Sequence, residues 1–177
     1  KKIAGIAYSV QLLNYTYGTN GIPIRTPSIV NLIKKEAIAQ DIDSAKTLNP
    51  DKIILFVHWG TEYMSQPTKQ QEDLAKFFFE KGADIIIGSH PHVIEKLEWK
   101  KDSITQKETF VAYSMGDIVS NQRKRKTDGG MMVYLELAKN DTACYIKDAG
   151  YHLTWVYKPI ENGKKTFTIL PGAAFED

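Results

Sequence analysis

Three of the four histidines in this 177-residue chain stand where an apolar run gives way to a polar turn. Imidazole is the commonest metal ligand and the side chain best suited to moving protons near neutral pH. His58 follows Ile53-Ile-Leu-Phe-Val, and His90 and His92 follow Ala83-Asp-Ile-Ile-Ile-Gly-Ser. Pro91 between the last two fixes its own φ and biases His90 towards extended backbone, so the loop is expected to be stiff. Residues two apart on an extended chain share a face, which puts both rings on one side as a candidate metal-ligand pair. Glu62 could orient a ligand histidine through a carboxylate contact, or be a solvated loop residue. Trp59 and Tyr63 could line a substrate cleft, or pack in the core or at its rim.

The elements that must hold these residues follow from the apolar pattern. Ile85, Ile86 and Ile87 are β-branched, too few for a helix, and preceded by a turn at Gly82, so they read as a strand covered on both faces. Gly88 is expected to end that strand, either by a sharp turn or by close approach to another group. Ile53–Val57 reads as a second such strand. Open α/β sheets bind ligands beyond the carboxyl ends of their strands, where His58, His90 and His92 would all sit. Ile3–Val10 reads as an earlier strand, followed by a long aromatic loop over residues 11–27 of the kind that borders sites. Thr26 or Ser28 could cap a helix carrying Ile29, Ile33, Ala37, Ile38, Ile42 and Ala45 on one stripe. Pro67 opens a second helix through Leu74, Ala75, Phe77 and Phe78, closed by Gly82. Strand, helix, strand, helix, strand implies a largely parallel sheet.

Beyond His92 the chain changes to short β-branched or aromatic stretches. These are Val93–Trp99, Thr109–Ser114, Gly130–Leu137, Thr142–Ile146, His152–Tyr157 and Thr166–Leu170, with Asn162-Gly163 a hairpin signal. The fold class expected is therefore α/β, with parallel strands and crossover helices followed by antiparallel strands, and residues 1–177 forming a single domain. A 42% hydrophobic and 25% charged composition is that of an ordinary globular domain. The net charge of +2 gives no reason to expect nucleic acid as a partner. The basic run Arg123-Lys-Arg-Lys reads first as a solvated turn and second as a polyanion contact. One cysteine, Cys144, excludes an internal disulfide and cysteine-based zinc sites, and reads as a small core residue; His152, in a strand pattern, reads as structural.

His58-Trp-Gly-Thr-Glu-Tyr, the run from Gln71 to Gly82-Ala-Asp-Ile-Ile-Ile-Gly-Ser-His-Pro-His-Val, and Tyr113-Ser-Met-Gly-Asp-Ile-Val together resemble the bacterial capsule-synthesis proteins of the CapA type. Those proteins are associated with poly-γ-glutamate capsules and resemble calcineurin-like metallophosphoesterases. The resemblance covers the chain to about residue 135. It implies a partial metallophosphoesterase-like α/β/β/α sandwich and a cell-surface location. It also implies metal-dependent hydrolase or transferase chemistry in the intact protein, with His58, His90 and His92 among the ligands of two divalent ions (manganese, iron or zinc) and Glu62 acting beside His58. Trp59, Tyr63, Asp117 and Asn121 would then face the substrate, an anionic polymer or phosphorylated compound.

The resemblance's earlier motifs, an aspartate, a second acidic or asparagine site and an Asn-His pair, have no counterpart here. The expectation is thus the carboxyl-terminal half of a longer domain, inactive alone, with the missing half, capsule synthase components or a domain-swapped copy as partners. Two further departures are Ser89 inserted between Gly88 and His90, and Asp117 where asparagine is expected. An acid at Asp117 could add a ligand or repel an anion. The competing expectation is a non-catalytic scaffold that holds capsule polymer.

Overall fold

The computed structural model describes residues 8–141 and 143–175. Five strands form one sheet in the order β1-β2-β3-β5-β4. β1 (Val10–Thr16), β2 (Lys52–His58), β3 (Ile85–Ser89) and β5 (Glu108–Ala112) run parallel, and β4 (Leu97–Lys101) pairs antiparallel with β5 at the edge. The helices α1 (Lys35–Lys46) and α2 (Lys69–Lys81) lie in the β1-to-β2 and β2-to-β3 connections. β6 (Gly129–Lys139), β7 (Cys144–Tyr157) and β10 (Thr168–Pro171) form a second, antiparallel sheet. Between β7 and β10, β8 (Ile160–Glu161) and β9 (Lys164–Lys165) make a small hairpin around Asn162-Gly163, whose φ values of 51° and 74° suit the favoured tight turn.

Strand alternation sorts the core into two layers. Ile53, Leu55, Val57, Ile86 and Val111 pack with Ile38, Ile42, Leu74, Ala75 and Phe78 of the helices. Their neighbours Ile85, Ile87, Phe110 and Ala112 face Met131 and Ile146 of the second sheet, with Val133, Leu135 and Leu137 around them. The result is helix, sheet, sheet: an α/β fold with a mixed, mostly parallel sheet, consistent with part of a metallophosphoesterase-like sandwich. Met132 and Tyr134, alternating with the inward residues, remain 47% and 43% exposed on the other face of the second sheet.

α2 carries the expected apolar residues and closes at Gly82, while Pro67, expected to open it, lies one residue before the cap. Thr68 caps it in a reciprocal box: its hydroxyl accepts from Gln71 N–H while Gln71 Oε1 accepts from Thr68 N–H, and Gly82 closes the helix at φ 120°. Thr68→Ala is expected to lower stability by about 1 kcal/mol in urea titration, because one part-buried cap bond is lost and helix propensity is scarcely changed.

Other expectations shift. Residues 3–7 of the expected strand Ile3–Val10 lie outside the described residues. The strand that pairs with β2 is Val10–Thr16, taken from the expected loop, because seven consecutive residues find parallel partners from Lys52 to His58. α1 starts at Lys35 instead of near Ser28, and Ile29 is 86% exposed rather than part of the stripe. The intervening residues are held alongside β1: Thr16 N–H donates to Asn31 O at 2.9 Å and Ile33 N–H to Thr16 O at 2.9 Å, a pairing incompatible with helix. The expected strand at Val93 begins only at Leu97, and the two stretches around residues 142–157 fuse into β7, with Thr142 outside the described residues.

Candidate functional site

The carboxyl ends of β2 and β3 lie side by side, with His58 opposite Ser89 in the register. β3 runs through Gly88 instead of ending there, because Gly88 is where the backbone presses against Trp59 and the Tyr113 carbonyl. The loops beyond are tied to one another. Trp59 N–H donates to Ser89 O at 3.0 Å, Tyr63 N–H to Pro91 O at 2.7 Å, and Tyr17 N–H to His58 O at 2.9 Å.

His90 and His92 do not reach one side by extended alternation. Their φ values are 109° and 61°, and Tyr63 opposite them is at 67°, left-handed conformations that cost a non-glycine residue energy. The surrounding hydrogen bonds hold that strain in place. The loop curls back over the strand ends and brings His90 to 4.6 Å from His58 and 6.2 Å from His92 between ring centroids. Tyr17 closes the group, 5.6 Å from His58 in a stacked arrangement and 4.5 Å from His90. Ser89 Oγ lies 3.4 Å from His58 Nδ1.

Burial shifts two of the rings towards the neutral form. Burial, reinforced by His92, holds His58 below the ordinary histidine range, and burial with His58 beside it does the same for His90. Neutral imidazoles offer lone pairs to an acceptor-seeking ligand or ion. His92 is fixed differently: its Nδ1 is 2.9 Å from Asp117 Oδ1, and its Nε2 is 4.0 Å from Glu62 Oε1. The Asp117 side chain is 15% exposed, and its second oxygen, Oδ2, is buried without a hydrogen-bond partner among the described residues. An orphaned buried carboxylate oxygen beside a histidine is costly, and is the kind of atom that awaits a proton, water or cation.

The expected site residues therefore separate. His58, His90 and His92 come together, with Asp117 bound to His92 and Glu62 at the rim, its side chain 49% exposed. Tyr63 stacks at 6.0 Å from His92. Trp59 is 1% exposed in the helix-side core, its indole N–H donating to Tyr113 O at 2.9 Å. It meets the site only as part of a hollow of about 320 Å³ that Tyr17, Gly60, Gln70 and Gln71 also line. Asn121 is turned to another contact, accepting from Lys165 Nζ at 2.8 Å. His152 stacks on Tyr134 in the second sheet, at 5.6 Å. Tyr17 was the residue missing from the expected set; its signal was the aromatic loop, whose composition could not say which ring turns inwards.

Imidazole and carboxylate are suitable donors for a first-row divalent ion. Among the described residues, however, no three His, Cys, Asp or Glu side chains gather closely enough to hold one. The donor chemistry fits a metal, and the described donors supply at most one side of its coordination.

Comparison with known proteins now bears on this geometry. The chain is 37% identical over 112 residues to a capsule biosynthesis protein CapA of Bacillus anthracis, covering 63% of this chain and 25% of that protein. It is also 37% identical over 92 residues to a PGA biosynthesis protein CapA of Bacillus subtilis (strain 168), covering 52% of this chain and 23% of that one. The chain thus spans about a quarter of the length of the curated relatives it matches. No helix among the described residues is long and apolar enough to cross a membrane. Residues 2–122, which carry both histidine loops and Asp117, match the family described as bacterial capsule synthesis protein PGA_cap, and the chain belongs to that family.

Proposed function

We propose that this chain supplies one wall of a metal-dependent hydrolase or transferase centre that acts in synthesis of a poly-γ-glutamate type capsule at the bacterial surface. The observation that carries the reading is the convergence of His58 and His90, both shifted by burial towards the neutral form, at the carboxyl ends of adjacent parallel strands, with ring centroids 4.6 Å apart. His58 and His90 are the pair that would share an ion, and His92, oriented by Asp117, would face a second. The remaining ligands would come from the rest of the protein, of which this stretch matches a quarter in its relatives. Manganese, iron and zinc all suit such donors, and a bound divalent ion supplies Lewis-acid polarisation of a phosphate or acyl ester. The chain's own residues set the geometry. Backbone hydrogen bonds pin both loops, Asp117 holds the His92 ring, and Tyr17 packs its ring against His58 and His90.

A second reading is a non-catalytic scaffold that holds the anionic polymer within a capsule synthesis complex, and the lack of a three-donor cluster among the described residues favours it. Elemental analysis combined with phosphodiester turnover separates the two, on this chain and on a version extended with its upstream sequence. The catalytic reading expects about two metal equivalents and turnover in the extended protein. His90→Ala should then remove metal and activity together, by more than the roughly 10–100-fold that loss of a supporting partner costs. Absence of metal and turnover from both versions would leave the scaffold.

A further inference from the structure

The chain pairs many of its lysines: Lys46, Lys69, Lys76, Lys96, Lys100, Lys101, Lys139 and Lys147 each lie within 4.0 Å of a carboxylate. The four consecutive cations Arg123, Lys124, Arg125 and Lys126 behave otherwise. All four are exposed, and among the described residues none makes an ion pair. They are not a loose tail. Thr127, fully buried, closes the turn by donating from both N–H and Oγ1 to Lys124 O, at 3.0 and 2.7 Å, and Lys158 Nζ clamps the approach through Gln122 O at 2.6 Å.

The tertiary structure sets this turn against the histidine site. Lys124 Nζ sits 3.6 Å from the centroid of the Tyr63 ring, and that ring stacks on His92 at 6.0 Å. A cation over a ring face keeps its charge and its N–H donors for an anion, while its position becomes fixed. Lys126 Nζ donates to Ser65 Oγ at 3.1 Å on the same loop. Lys126 and Ser65 also line a separate hollow of about 450 Å³ with Thr154 and Asp128. Thr154 is 6% exposed, and its Oγ1 is buried with no hydrogen-bond partner among the described residues. Asp128 brings the one negative charge on that lining and accepts from Trp155 Nε1 at 3.4 Å.

We propose that the Arg123–Lys126 turn, docked on Tyr63 beside His92, is a binding strip for a polycarboxylate chain, which it guides between the histidine site and the hollow lined by Thr154. The inference rests on the capsule-polymer reading above for the choice of carboxylate over phosphate. The number of cations argues for a polymer: four unpaired charges on one turn exceed what a single carboxylate neutralises. A chain of repeating carboxylates satisfies them in sequence and releases its counterions as it binds. The strip lies immediately beyond the residues that match the family.

The test is fluorescence anisotropy of labelled poly-γ-glutamate titrated with the 177-residue chain between 50 and 200 mM salt. Replacing all four residues, Arg123→Gln, Lys124→Gln, Arg125→Gln and Lys126→Gln, is expected to weaken binding at least about tenfold and to flatten the salt dependence by roughly three log units per log unit of salt. Removing four charges elsewhere, by Lys34→Gln, Lys35→Gln, Lys76→Gln and Lys81→Gln, should leave affinity within about twofold. Tyr63→Leu keeps every cation but releases Lys124, and should weaken binding by a smaller factor. Equal binding by wild type and the turn variant, equal losses in the two quadruple variants, or no binding by wild type would each overturn the strip. Preferential displacement of the label by polyphosphate or by single-stranded DNA of matched charge would overturn the carboxylate assignment. Metal content of the extended protein carrying the same four turn substitutions should equal that of its unsubstituted form, because none of the four is a proposed ligand, so failure of the metal-centre reading and failure of the strip are read separately.

Discussion

Gly88→Ala is expected to destabilise the chain by at least about 3 kcal/mol, with a matching fall in the urea midpoint. Gly88 is buried in β3, and a methyl group there would drive into the Tyr113 carbonyl oxygen and stand 2.5 Å from Trp59 Nε1. None of these neighbours can yield cheaply. The Tyr113 carbonyl is the acceptor of the Trp59 indole N–H, and Trp59 stacks between Phe78 and Tyr113 with ring centroids 6.2 and 6.0 Å away. To admit the methyl, β3 must move away from that stack and carry Ser89 and His90 with it. The damage should therefore reach the site: the surviving folded fraction should lose the His58–His90 proximity, visible as a changed histidine titration by NMR. Gly18→Ala is the control, since nothing lies within 4 Å of a methyl there, and it should change stability by less than about 0.5 kcal/mol. If Gly88→Ala unfolds at the wild-type midpoint, the close approach of β3 to the Trp59–Tyr113 pair is wrong.

Asp117→Ala should do the reverse, sparing stability while damaging the site. The substitution removes one hydrogen bond, from His92 Nδ1 at 2.9 Å, but it also removes a buried carboxylate oxygen that has no partner. The first loss costs roughly 1–3 kcal/mol and the second returns a similar amount, so the net change should lie within about 1 kcal/mol of zero. Without its carboxylate, His92 loses the partner that selects its tautomer and ring orientation. Divalent-ion affinity of the extended protein should fall about 10–100-fold, the usual effect of removing such a supporting partner. The NMR shifts of His92, and not those of His152 in the second sheet, should move. A strongly destabilised Asp117→Ala would show that the carboxylate holds the fold; unchanged metal affinity would show that it does not serve the histidine.

These two positions also show where sequence reading reaches its limit. Local chemistry placed α2 well, because an apolar stripe and a closing glycine are written within fifteen residues, although the cap is Thr68 and Pro67 lies just outside the helix. The same reasoning started α1 too early and saw a loop where β1 lies. Both errors have one cause: residues 10–16 and 31–33 are held by hydrogen bonds to strands distant in sequence, and that pairing overrides local propensity. The residue at Gly88 could be flagged as a close approach, but not what approached it. The histidine pair was predicted to converge by extended alternation, and its rings converge instead through left-handed turns that loop-to-loop hydrogen bonds hold in place.

The sequence by itself determined the α/β class, the positions of β2 and β3, and the placement of His58 and the His90–His92 pair at their ends, because β-branched runs and turn residues are local signals. Only the tertiary structure decided the partners. It tied His92 to Asp117, buried Trp59, turned Tyr17 onto His58 and His90, and set Lys124 on Tyr63. Those contacts join residues dozens of positions apart, through loops whose composition allows many conformations. Which of them forms is fixed by packing and by the hydrogen bonds that buried backbone groups must make, and neither is written in any one stretch of the chain.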